Sequence, residues 1–84
     1  MAKKLNMDEI KLGIYKHSKS GKEYRVLGVA NHSETMEKLV VYQAMYESED
    51  FGVNSLWVRP VAMWSEEVEL EGEHKPRFEF IRNK

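Results

Sequence analysis

The sequence predicts an all-β fold: a small, partly open antiparallel barrel of five to six strands, preceded by a short N-terminal helix. Three observations carry that reading. Short β-branched and aromatic runs recur at close spacing, the plainest being Leu39-Val40-Val41-Tyr42-Gln43-Ala44-Met45-Tyr46. Turn-forming clusters separate them, at Ser18-Lys19-Ser20-Gly21, around Gly52 and Asn54, and at Glu71-Gly72-Glu73. The chain has 84 residues, which makes a single domain over 1–84 with the barrel in 13–81. Closing a sheet this small removes exposed strand edges.

The elements follow in order. Asn6 caps a short helix ending near Leu12, and Glu9 completes a capping-box-like pair with it. Asp8 and Glu9 suit the positive end of its dipole. Gly13-Ile14-Tyr15-Lys16-His17 reads as the first strand. Glu23 to His32 reads as a longer, central strand because both of its faces carry apolar groups. On it Tyr24, Val26, Gly28, Ala30 and His32 share one face, and Gly28 marks a bulge or a close backbone approach. Residues 33–38 connect it to Leu39–Tyr46. Glu47–Ser55 is acidic and turn-like, and Leu56–Arg59 is a short strand. Pro60 lacks an N–H, so that strand ends or lies at an edge. Val61–Glu67 is ambiguous: Val61 and Trp64 suit a helical turn, whereas Ala62 and Trp64 suit an alternating strand. Val68 and Leu70 alternate with glutamates, and Phe78 to Ile81 forms the last strand. The predicted core is Val26, Leu27, Val29, Val40, Val41, Tyr42, Trp57, Val58 and Phe78.

Composition excludes several classes of function. There is no cysteine, so disulfides and thiolate metal sites are absent. The basic N-terminus is not followed by the apolar stretch of a secretory signal. No apolar run approaches the roughly 20 residues that span a membrane. A cytoplasmic location without membrane association is expected. Net charge is −1, with +3 in residues 1–42 and −4 in residues 43–84. A general nucleic-acid binder shows a stronger basic excess than this.

The motifs exclude more. His17, His32 and His74 are not spaced as metal ligands, so neither a metal nor any other cofactor is expected. Ser33 beside His32 is not a nucleophile–base pair, because adjacent strand residues point to opposite faces. There is no Gly-x-Ser-x-Gly elbow and no glycine-rich phosphate loop. His32 and Glu34, two apart, can share a face, and an enzyme would need them to converge with Arg59 in a pocket. The polar run His32-Ser33-Glu34-Thr35 also suits a loop whose side chains satisfy its own backbone. Arg59 sits between apolar neighbours, where it can pair with a carboxylate or a ligand anion. Tyr15 and Tyr24, flanked by Lys16, Lys22 and Arg25, would suit nucleic-acid stacking if exposed on one basic face.

The order of elements, a short first strand, a loop and a three-strand meander, is similar to that of SH3-like barrels. The runs His32-Ser33-Glu34-Thr35, Val40-Val41-Tyr42, Trp57-Val58-Arg59-Pro60 and Arg77-Phe78 resemble the bacterial domain of unknown function 1653 family. So do Gly13-x-Tyr15-x-His17 and Tyr24-Arg25-Val26-Leu27-Gly28-Val29-Ala30. The resemblance runs from Gly13 to Phe80. The family's turn after the first strand is tighter, and here His17-Ser18-Lys19-Ser20-Gly21 is one residue longer. The resemblance implies the domain and no mechanism. The expected function is a non-catalytic binding or interaction module for a small polar ligand or a protein partner. Its expected site is His32, Ser33, Glu34, Thr35 and Arg59, with Tyr15, His17 and Tyr42 nearby. A nucleic-acid-binding barrel and a small enzyme using His32, Glu34 and Arg59 are the alternatives.

Overall fold

A computed structural model describes residues 10–83. The expected N-terminal helix falls almost entirely outside the described residues. Five strands build the main antiparallel sheet: β1 (Gly13–His17), β2 (Glu23–Asn31), β3 (Lys38–Ala44), β6 (Leu56–Pro60) and β9 (Phe78–Arg82), in the order β6-β3-β2-β1-β9. Two small hairpins join it. β4 (Glu47–Ser48) pairs with β5 (Gly52–Val53) inside the segment read as an acidic turn, and β7 (Glu67–Leu70) pairs with β8 (Glu73–Pro76). The helical alternative wins at Val61–Trp64 (α1), where the i, i+3 spacing buries both Val61 and Trp64. Among the described residues no helix is long and apolar enough to cross a membrane.

β6, β3 and β2 form the expected meander, and β1 pairs with both β2 and β9, which sets the first and last strands side by side. The sheet keeps two edges, β6 and β9, so no hydrogen-bonded barrel closes. Pro60 sits at the end of edge strand β6, where a missing N–H is least costly. From there α1 and the β7–β8 hairpin carry the chain across to β9. Val61, Trp64 and Val68 enter the core from this crossover.

Register decides which residues reach that core. Val26 opposes Tyr42, but Gly28 opposes Val41, so Leu27 is the extra residue of a bulge beside the glycine. The bulge switches the face of everything after it. Tyr24 and Val26 point inward before it. Val29 does so after it, opposite the fully buried Val40. The unbroken alternation expected from Tyr24 to His32 therefore stops at Val26. Leu27 is 45% exposed and Val58 is 58% exposed, which corrects their place in the predicted core. Leu27 is the bulged residue, and Val58 lies on the sheet face opposite Tyr42 and Trp57. Val26, Val40, Tyr42 and Phe78 are buried as expected, joined by Ile10, Ile14, Tyr15, Ala44, Val61, Trp64 and Val68. Aromatic edges and faces hold this small core together. Trp64 stacks on Phe78 with ring centroids 4.3 Å apart and planes 5° apart. Tyr42 meets both rings edge-on.

Gly13 is required where β1 begins. Its φ is +144°, and a Cβ there would lie 2.6 Å from the Arg82 carbonyl oxygen of β9. Gly28, by contrast, has open space where a side chain would project.

Candidate functional site

The polar run His32–Thr35 forms the β2–β3 connection and satisfies itself. His32 Nδ1 accepts the backbone N–H groups of Glu34 (3.2 Å) and Thr35 (3.3 Å). Thr35 Oγ1 accepts the N–H of Glu37 at 3.2 Å. The His32 N–H donates to the Glu37 carbonyl and the Met36 N–H to the His32 carbonyl, both at 2.8 Å. These bonds hold Met36 in the left-handed region at φ +64°. A loop between paired strands needs such internal donors and acceptors, and this one has them from its own side chains. Ser33, Glu34 and Thr35 are exposed.

A different place on the molecule is concave. On the core-facing side of the sheet lies a pocket of about 310 Å³. Every strand of the main sheet contributes one ring to it: Trp57 from β6, Tyr42 from β3, Tyr24 from β2, His17 from β1 and Phe78 from β9. Register explains this. Trp57 pairs directly with Tyr42, and His17 with Phe78, and paired residues on antiparallel strands share a face. The β4–β5 hairpin and its approach add Tyr46, Ser48 and Phe51. Phe51 meets Trp57 edge-on at 4.8 Å. Lys22, Arg59 and Arg77 supply three cations, and among the described lining residues there is no Asp or Glu.

Each polar group is positioned from behind. Arg59, two residues from Trp57 and on the same face of β6, donates from Nη2 to Glu66 Oε1 at 2.8 Å and from Nε to the Met63 carbonyl at 3.3 Å. Arg77 Nε lies 3.9 Å from the same Glu66 oxygen, within ion-pair reach but beyond a hydrogen bond. His17 closes the Ser18–Gly21 turn. Its Nδ1 accepts the N–H of Ser20 at 3.2 Å, which leaves the ring proton on Nε2. The His17 pKa is lowered, first by burial and then by the positive charges of Arg77, Arg59 and Lys19, so the ring is neutral near pH 7. Lys22 Nζ stands 4.5 Å from the centroid of the Tyr46 ring. Tyr24 and Tyr46 share a hydroxyl–hydroxyl bond of 2.6 Å. Burial, followed by the Tyr46 hydroxyl, pushes the Tyr24 pKa well up. Burial raises that of Tyr42 too, against the opposing pull of Arg59. Both phenols stay protonated at any ordinary pH.

Of the site residues expected from sequence, His17, Tyr42 and Arg59 line this pocket. His32, Ser33, Glu34 and Thr35 do not. Tyr15 lies in the core, 6% exposed, donating its hydroxyl to the Lys11 carbonyl at 2.8 Å. The pocket residues outside that expected site are Lys22 and Tyr24, which entered only the nucleic-acid reading, and Tyr46, Ser48, Phe51, Trp57, Arg77 and Phe78. A signal for one of them was present. Trp57 and Arg59 alternate on an edge strand, so an arginine shares the inward face with a tryptophan.

Fold and pocket together define a small all-β domain with a cationic, aromatic-walled cleft on the inner side of an open antiparallel sheet. The family described as protein of unknown function (DUF1653) matches residues 13–80, and the chain belongs to that family. It is similar to a crystal structure of a DUF1653 protein from Bordetella bronchiseptica. The two share 30% sequence identity and a TM-score of 0.81, over 94% of this chain and 96% of that one. No curated protein matches the chain.

Proposed function

We propose that this domain is a non-catalytic binding module that takes a small polar ligand in the pocket between β6 and β9. The observation that carries the reading is the meeting of aromatic surface and three cationic side chains in one concavity whose described lining residues include no Asp or Glu. A small cleft with apolar walls and a few converging polar groups is the usual form of a ligand site. His17, Tyr42 and Arg59 belong to it. The His32–Thr35 loop supports the module as a self-satisfied connection. An enzyme built on His32, Glu34 and Arg59 would need all three around one cavity, and only Arg59 lines this one. Nucleic-acid stacking would need Tyr15 or Tyr24 exposed on a basic face with Lys16, Lys22 and Arg25; Tyr15 is a core residue, and Tyr24 is half-buried with its hydroxyl bonded to Tyr46.

The test is a fragment screen of the whole protein followed by ¹⁵N-resolved NMR. Bound fragments are expected to shift the Trp57 indole N–H and the backbone amides of His17, Lys22 and Arg77. They should leave Glu34 and Thr35 unmoved. Fragments that cluster instead at residues 32–38, or on the outer sheet face around Val58, would sink this reading.

A further inference from the structure

Resting on that pocket, we infer the class of its ligand: a small molecule in which one flat aromatic ring carries an anionic group, a phosphate or a carboxylate. The charged part follows from a donor inventory. Lysine and arginine offer N–H donors and no acceptor, and the His17 tautomer leaves an N–H at Nε2. Among the described residues the one carboxylate held against the two arginines is Glu66, behind Arg59. It makes a hydrogen bond to Arg59 at 2.8 Å and stands 3.9 Å from Arg77 Nε. Among the described residues that buried Nε has no hydrogen-bond partner. That Nε is closed off from solvent and faces Glu66, so an oxygen anion would be met by the exposed part of the Arg77 side chain and by Lys22, through charge-assisted bonds that are the strongest of their kind. A cationic ligand would meet Lys22, Arg59 and Arg77 with no lining carboxylate to offset them.

The ring follows from the wall. Phe51 is 61% exposed at the tip of the β4–β5 hairpin, and the half-buried Trp57 is its edge-on partner. Trp57 Nε1 already donates to Ser55 Oγ at 2.9 Å, so that side chain offers the pocket an apolar surface rather than a donor. A flat ring on Phe51 and Trp57 would cover apolar area that is otherwise wet. A volume of about 310 Å³ stands at the small end of ligand sites and suits one ring with one acidic group.

The experiment titrates the full protein with five probes, by calorimetry and NMR: phenyl phosphate, phenylacetate, inorganic phosphate, benzyl alcohol and phenethylamine. At least one of the first two is expected to bind about tenfold or more tighter than each of the last three, a gap of about 1.4 kcal/mol. Which of the two binds better identifies phosphate or carboxylate as the acidic group. Lys22→Met, at an exposed position, and Arg77→Met should each weaken the preferred probe by about tenfold. Unchanged spectra elsewhere will show that the fold is kept. Phenethylamine binding in the pocket as tightly as phenylacetate would overturn the charge assignment and leave the pocket as a binding site. Inorganic phosphate matching phenyl phosphate would overturn the ring. If all five probes leave the pocket resonances unmoved, the ligand class fails. If a chemically diverse fragment set also leaves them unmoved, the pocket itself fails.

Discussion

The β2–β3 loop and the β6–β9 pocket solve opposite problems. The loop draws its structure from seven consecutive residues, 32–38, and every hydrogen bond that shapes it is local. The pocket takes one ring from each of five strands spread from His17 to Phe78. It exists only when the register of the whole sheet is correct. The loop stands out in the sequence because its polar residues are contiguous. The pocket residues are scattered and look like core. A contiguous polar motif can thus be a backbone requirement, while a pocket can be assembled from residues that seem merely hydrophobic or merely charged.

The comparison can be broken most severely from beneath the pocket. Trp64→Ala removes the ring stacked on Phe78. It should cost about 3–5 kcal/mol, a large share of the stability of so small a domain, read as a collapse of the urea midpoint. Next comes the start of β1. Gly13→Ala forces a Cβ against the Arg82 carbonyl and should lose about 1–3 kcal/mol. Gly28→Ala should stay within about 0.5 kcal/mol, since open space awaits it. Equal losses at the two glycines would refute that account of β1.

The loop should respond more mildly. His32→Ala removes the acceptor of two exposed N–H groups and should cost about 0.5–1.5 kcal/mol, with ligand affinity in the pocket unchanged. A loss of affinity there would couple the two regions. His17 sharpens the contrast through pH. Its folded pKa lies below the ordinary 6.5, through burial first and then its cationic neighbours. The unfolded chain therefore takes up that proton first on acidification. Its contribution to stability is complete above about pH 6.5 and falls as the pH drops from there to the folded pKa. His17→Gln should flatten that part of the pH dependence relative to the parent protein. The smallest effects belong to exposed charges. Arg59→Gln breaks a partly exposed ion pair and should cost under about 1 kcal/mol, and Glu34→Ala under about 0.5 kcal/mol. Binding assays should then separate them, with affinity lost in the first and kept in the second.

Much of the architecture was legible in the residues. β-branched and aromatic runs placed β1, β2, β3, β6 and β9, and glycine clusters placed their turns. Gly28 announced its bulge, because a strand interior tolerates glycine poorly without such a reason. Face assignments beyond the bulge were not legible, since one extra residue inverts every later side chain and its effect depends on the partner strand. That is why Leu27 and Val29 both read as core although only Val29 packs against it. Arg59 was legible as an arginine among apolar neighbours. Arg77 and Phe51 were not, because nothing local links residue 77 or residue 51 to Trp57.

The sequence by itself determined the family, the all-β class, the strand set and the self-sufficient loop. Each depends on propensity or on hydrogen bonds between near neighbours. Only the tertiary structure decided that the sheet stays open, that Val61–Trp64 winds into a helical turn and buries Trp64 beneath Phe78, and that three cations and a wall of rings face one cavity. Those outcomes rest on strand order and register, which are set by how the whole core packs and by no single segment of the chain.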